Sequence, residues 1–517
     1  MIPKMFGWIA EKPDHPLADP EAAREIIHAL RGGDAIARLD EIVGHLESLL
    51  HVEGFRLTRL YEVVDLLDQA AKPHQRRVNA DYIGASRLTH HQENRLWTSA
   101  ADFWRALAQA YLRCLDIFRS DPKESCTFDA TMPVCCARVL RALGAELKWR
   151  SVRYGPLPQH LWASAASAFV LAETGGAALH PIRAYEVSRG DTTVQEEYLR
   201  LLVMGVASPD VLHPAQIELA ERVIGWFSRS LVLGPEPGSE STHYVDLATG
   251  LRPARLMKST APSASHRYFG IANARSEIVS LLRVVKEREL IPESVRLGEL
   301  HSIPLVINTL EHLVRHLGVR PPARSHERST GAVRLMVAHG YRAVRDTIQR
   351  HERREPPRPI DIETWVATDS SPAGYGVTIR YMRGDWVKLG ALVGVRQPEE
   401  RYWGIGVVRR INRENDTDHH VGLQLLAPAA LPVELVPLRG PQTQQVEAEP
   451  PQGLLLSGRP DENGEIAVAL EAGAFSSSSR FVVQINDKPY LLVALQLVEA
   501  GDDFDFARFK VCRHEPA

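Results

Sequence analysis

In this 517-residue chain the residues best suited to chemistry lie between Glu363 and Gly376. The apolar run ETWVAT ends at Asp369, Ser371 follows, and Gly374 comes three residues later. A carboxylate at Asp369 can accept hydrogen bonds from the imino or amino edge of a purine. Ser371 adds a hydroxyl, and Gly374 lets the backbone turn back with no side chain over the site. The spacing Asp-x-Ser-x-x-Gly puts these groups on one tight turn. Upstream, eleven arginines stand between Arg315 and Arg358 with no lysine, offset by only Glu327, Asp346, Glu352 and Glu355. A guanidinium binds phosphate through two parallel hydrogen bonds and also stacks on a flat base. Turn and arginines together suit a guanine nucleotide carrying phosphates. The competing reading is a structural Asx or Ser turn with nothing bound.

Two sets of arginines have the spacing of an anion-gripping arm. Arg324 and Arg328 sit in PPARSHERSTG, an extended segment leading straight into the apolar run VRLMVAH. Arg350 with Arg354, and Arg354 with Arg358, repeat that spacing closer to Asp369. Arg324 and Arg328 are preferred because a strand follows them directly, and the other set stays as the alternative arm.

These residues need elements to position them. Over about 1–230, segments such as AIARLDEIVGHLESLL, RLTRLYEVVDLLDQAA and WTSAADFWRALAQAYLRCLDIF repeat apolar residues every three or four positions and predict a helical platform. Residues 231–319 are a mixed connecting region of Gly-, Pro- and Ser-rich loops followed by helical stretches. From about 320 to 430 the period shortens to two, in short strands such as IETWVAT, GYGVTIRY and HHVGLQLLA. A helix near 341–354 is inserted after the first of them. A linker rich in Pro, Gln and Glu is expected over 431–450, and a C-terminal β module over 451–517. The fold class is multidomain α+β: an all-α array, a small antiparallel barrel that removes strand edges, and a second β module.

The order of motifs is RSHER (Arg324 to Arg328), then Asp-Ser-Ser-Pro-Ala-Gly (Asp369 to Gly374), then GDWVKL, WGIGVVRR and VGLQLL. This combination resembles the PilZ domain family, bacterial receptors for cyclic di-GMP. The resemblance covers about 320–430. It implies a six-stranded barrel in which Arg324 and Arg328 grip the phosphates and stack on guanine. Asp369 and Ser371 would meet the guanine edge or a phosphate, and Gly374 would keep the turn open.

Other signals point away from different chemistries. A net charge of −3, with 44% apolar and 24% charged residues, gives no global sign of nucleic-acid or membrane binding. The arginine run lacks a recognition helix or interleaved aromatics, so nucleic acid is not the expected partner. The five cysteines form no zinc spacing and, being odd in number, fit a reducing, cytoplasmic setting. The N-terminal stretch lacks the apolar core of a signal peptide, and no run is long enough for an integral membrane segment. His90-His91 and His419-His420 lack acidic or thiol partners at ligand spacing, so no metal or other cofactor is expected. Glu196-Glu197 read as solvent-facing charge, His243 and Asp246 form no legible acid–base pair, and most tryptophans read as core anchors. No familiar catalytic motif occurs, and an enzyme is not expected.

The expectation is a cyclic di-GMP receptor and adaptor that couples nucleotide binding to a helical platform for a protein partner. The alternative is a nucleotide-independent scaffold with a degenerate barrel. A third class, an enzyme with an unrecognised site, would be favoured by clustered polar side chains in an apolar pocket of the helical part.

Overall fold

The computed structural model describes residues 13–85, 88–186, 190–297, 301–320, 326–356, 358, 362–380, 386–415, 417–438, 451–485 and 488–513. The chain divides into two compact units, Met1–Ala323 and Arg324–Ala517.

The first unit opens with α1 (Pro20–Ala29), α2 (Ala35–His51), α3 (Leu57–Ile83), α4 (His90–Ser120) and α5 (Pro122–Phe128). Then come α6 (Met132–Val152), α7 (Gln159–Thr174), α8 (Val194–Val206) and α9 (Pro214–Phe227). Local sequence sets the helix starts. Asp19 accepts from the Glu21 and Ala22 amides, with Pro20 at the first helical position. Thr89 and Gln92 close a reciprocal capping box on α4. The long α3 runs through Pro73, where the apolar period alone suggested an earlier end. Burial of Val78 and Tyr82, four residues apart on one face, carries the helix past the proline. The central element is α6: sixteen of its 21 residues are buried, because α4, α7, α8 and α9 pack around it.

The connecting region forms a small sheet of β1 (Val232–Gly234), β2 (His243–Asp246), β3 (Ala254–Arg255) and β4 (His266–Gly270), ordered β1-β4-β2-β3. Two helices follow, α10 (Ala272–Arg288) and α11 (Ile303–Leu317). Leu233, Val245, Phe269, Ile278 and Leu310 join the same core as the helical array, so this region has no core of its own. Glu196 and Glu197 overturn the solvent-facing expectation: they are 8% and 2% exposed. The reason is that α8 is covered by both α6 and α9, so even adjacent positions meet protein.

The second unit begins with β5 (Ser329–His339), α12 (Tyr341–Glu352), β6 (Ile362–Ser371) and β7 (Gly374–Ile379). Next are β8 (Leu392–Arg396), β9 (Gly404–Arg413) and β10 (His419–Ala427). The six strands close into a barrel in the order β10-β7-β6-β5-β8-β9. Beyond them β11 (Leu431–Glu434), β12 (Val436–Pro437), β13 (Gln452–Leu455), β14 (Glu465–Glu471), β15 (Arg480–Ile485), β16 (Lys488–Ala500) and β17 (Phe504–Arg513) make a seven-stranded sheet. Its order is β11-β13-β14-β17-β16-β15-β12. Both edges of this sheet therefore come from one continuous segment, 431–437, which rolls it over a core of Leu435, Val468, Val483, Leu492 and Phe509. This corrects the linker expected over 431–450: its first residues are strand. The sheet is packed onto the barrel through α12, whose Tyr341, Val344 and Ile348 share a core with Leu392 and Ile405 of the barrel and with Leu454 and Phe504 of the sheet. Tyr341 fixes the join, its hydroxyl donating to the Gln452 carbonyl at 2.6 Å and its amide to Asp503 at 2.6 Å.

Among the described residues, no helix is long and apolar enough to cross a membrane and no group of His, Cys, Asp or Glu is placed to hold a metal ion.

Candidate functional site

The β6–β7 turn is a tight hairpin. Ser371 pairs with Gly374, so only Pro372 and Ala373 lie between the strands. Gly374 has φ +150°, and a Cβ there would fall 1.9 Å from the Leu423 carbonyl oxygen of β10. Only glycine lets β7 and β10 approach this closely. The Ser371 hydroxyl donates to the Gly374 carbonyl at 3.4 Å, a long and weak bond.

Asp369 lies at a bulge in β6, where the register against β7 shifts between Ala367 and Asp369. Bulges re-aim side chains at strand ends. Here the carboxylate lies over Gly376 of β7, where a Cβ would sit 2.6–2.8 Å from its atoms. Gly376 is thus the residue that makes room for Asp369. The sequence carried its signal, the second glycine of GYG, but the two-residue spacing did not reveal which side chain needs the space.

Pairing of β5 with β6 brings Arg328 to the turn. Arg328, just before β5, places its Nη1 2.5 Å from Asp369 Oδ1 across 41 positions of sequence. The side chains are 35% and 28% exposed, so both remain open to solvent. The register explains the meeting: β5 pairs Thr330 with Asp369. Arg324 lies outside the described residues.

The alternative arm lies elsewhere. Arg350 is on α12 and pairs with Glu355 at 3.5 Å, Arg354 follows the helix at φ +59°, and Arg358 is exposed on the approach to β6. That approach enters β6 at Ile362, which pairs with Ala338. Seven residues of extended strand, roughly 23 Å, separate this end from Asp369. A ring stack occupies the same far end: Trp386 lies between His339 and Trp365 at centroid distances of 4.0 and 5.3 Å. Both indole N–H groups donate to Glu363.

The discounted histidines have ordinary roles. His419 is buried, which with Arg413 nearby lowers its pKa, and His420 meets Glu414 at 3.0 Å. In the first unit, burial and Arg255 push His243 down to about 4, so it stays neutral near neutral pH.

Two family models match the chain. One, described as the N-terminal domain of the cyclic-di-GMP receptor FimW, matches residues 21–237, and the other, described as its middle PilZ domain, matches residues 322–432. No curated protein matches. The second match spans Arg324, Arg328 and the whole Asp369–Gly374 turn, and its extent follows the six strands of the barrel. The chain therefore carries a FimW-type N-terminal helical domain and, separate from it, a PilZ domain.

Proposed function

We propose that this protein is a cyclic di-GMP receptor and adaptor, non-catalytic, in which nucleotide bound at the PilZ barrel is read out through the helical domain. The observation that carries the reading is the meeting of Arg328 with Asp369 at one end of a closed six-stranded barrel. Arginine is the side chain for phosphate and for stacking on guanine, and carboxylate is the acceptor for the guanine N–H edge. In the absence of nucleotide the two satisfy one another. On binding, Arg328 turns to phosphate or base, Arg324 joins it from the arm, and Asp369 and Ser371 take the guanine edge or a phosphate. Gly374 keeps the turn clear.

The arm is also the point where the two units join, between Ala323 and Arg324. Nucleotide gripped by the arm changes the link between barrel and helical domain, and that change reaches a protein partner on the helical surface. For such coupling the two states must differ in nucleotide affinity. A nucleotide of this kind and five free cysteines fit a cytoplasmic protein. The domain limits follow: helical platform and connecting region to about 319, barrel over 320–430, C-terminal module beyond.

The test is calorimetric titration with cyclic di-GMP, beside GTP and cyclic di-AMP. Binding at micromolar or tighter Kd, selective for cyclic di-GMP, is expected, weakened about 100-fold or more (roughly 2.7 kcal/mol) by Arg328→Ala. Ser371→Ala should weaken it less. Loss instead in Arg354→Ala would move the arm to the alternative set at the end of α12 and beyond it. Absence of binding by folded protein would leave the self-satisfied Arg328–Asp369 pair as the signature of a nucleotide-independent scaffold.

A further inference from the structure

The helical unit holds a cavity of about 350 Å³, walled by α3, α4, α6, α8 and α9 together with Tyr185. This lies within the usual size of small-molecule sites, roughly 300–1,000 Å³. Its lining divides cleanly. One part is apolar and aromatic, with Trp104, Leu140, Leu201, Met204 and Ile224. Most of the rest is charged.

Every carboxylate on the wall is already engaged. Asp68 accepts from the Tyr111 and Tyr185 hydroxyls at 3.0 and 2.9 Å. Glu197 is held by Arg141 at 2.8 Å and by the Thr192 hydroxyl at 2.7 Å. Glu221 meets Lys148 at 3.3 Å. Lys72 Nζ lies 3.4 Å from the Tyr185 ring centroid, with no carboxylate of the described residues at ion-pair distance. Arg141 also lines the cavity, its guanidinium held on one side by Glu197. Burial holds the Lys72 ammonium below its ordinary range, with Asp68 pulling the other way.

A second observation is independent of charge. Gly144 stands in the middle of α6, facing the cavity, and a Cβ there would meet nothing within 4 Å. No packing constraint calls for glycine, which costs a helix about 1 kcal/mol relative to alanine. The bare position keeps the space open.

We infer that this cavity binds a small organic anion, a carboxylate or phosphate monoester on a flat apolar body, with its charged end at Lys72 and the Arg141 guanidinium. The ring of such a molecule packs between Trp104 and the aliphatic wall. The site is distinct from the barrel turn, and its engaged carboxylates leave no group free to act as a general base.

The test uses full-length protein and fluorine NMR of four probes: 4-fluorobenzoate and 4-fluorophenyl phosphate as anions, 4-fluorobenzamide as the neutral form and 4-fluorobenzylamine as the cation. Line broadening should report at least one of the anions binding at least tenfold tighter than the amide and the amine. Preference between the two anions then separates carboxylate from phosphate ligands. Lys72→Met should weaken binding about tenfold. Gly144→Leu, which fills space rather than creating it, should abolish binding while melting at or above the wild-type temperature. The inference is overturned if neither anion binds at millimolar concentration, if the amine binds as tightly as the anions, or if anion binding survives in folded Gly144→Leu protein.

Discussion

The barrel turn and the interior of the helical unit both set arginine against aspartate, yet the two pairs live in different surroundings. Arg328 and Asp369 share one contact and are about a third exposed. Arg138 is 6% exposed and bonds to Asp65, to the Ala184 carbonyl at 2.8 Å and to the Tyr111 hydroxyl at 3.0 Å. The rings of Tyr61, Tyr111 and Tyr185 surround its guanidinium with centroids 4.7–5.8 Å away. Tyr111 passes the chain of bonds on to Asp68, which also receives Tyr185. A solvated pair exchanges partners at little cost, whereas an interlocked one holds helices in place. The same residue types thus give an exchangeable, solvated pair in one unit and a structural clasp in the other.

Breaking the clasp should have the largest effect. Arg138→Ala leaves Asp65 and Tyr111 without their cation and a void among three rings. A loss of about 3–5 kcal/mol is expected, as for other buried pairs stripped of one partner. Urea unfolding followed by circular dichroism measures it. Under native conditions the affinity for cyclic di-GMP should be unchanged, because the barrel has its own core. A loss below about 1 kcal/mol would place Arg138 with the solvated pairs.

Acid should separate the two regions next. Burial alone would raise the pKa of Glu218, but Lys148 at 2.8 Å and Arg222 outweigh it and hold the carboxyl at about 2. A depressed folded-state value means the native state stays ionised while the unfolded chain takes up its proton. The stabilisation is therefore complete above pH 4.5 and is lost as pH falls towards about 2. It amounts to about 3 kcal/mol at most, from 1.36 kcal/mol per pH unit. Glu218→Gln should flatten the fall in helical-unit stability across that window, seen by comparing urea midpoints at pH 5 and pH 2.5. Parallel acid profiles for variant and wild type would show that the Lys148 pair contributes nothing.

The two regions also differ in how far the sequence disclosed them. Arm and turn are short local patterns in chain order, so Arg328 and Asp369 were legible 41 positions apart before any register was known. The buried clasp and the cavity draw on residues from Asp65 to Gly225 on several helices, and no spacing connects them. Glu196 and Glu197 misled because a helix covered on two sides buries neighbouring positions, and amphipathic reasoning assumes one wet face. The segment LPVELVP did alternate, with Leu431, Val433 and Leu435 turned to the core, but its prolines read as linker. They are tolerated because β11 and β12 are sheet edges, where a missing N–H breaks no ladder.

The smallest expected effect is the most informative about function. A double-mutant cycle of Arg328→Ala and Asp369→Ala, read as barrel stability, should give a coupling of about 0.2–1 kcal/mol, as for exposed ion pairs. Raising salt to about 0.5 M shortens the screening length to roughly 4 Å and should reduce it further. A coupling this weak is what a receptor requires, since energy stored between Arg328 and Asp369 would be subtracted from every binding event. A coupling above about 2 kcal/mol would make the pair a latch like the Arg138 clasp, with phosphate having to overcome it. Weak coupling in the free protein beside a large loss of cyclic di-GMP affinity in the same variants would mean that Arg328 gains its strong partner only when the nucleotide arrives.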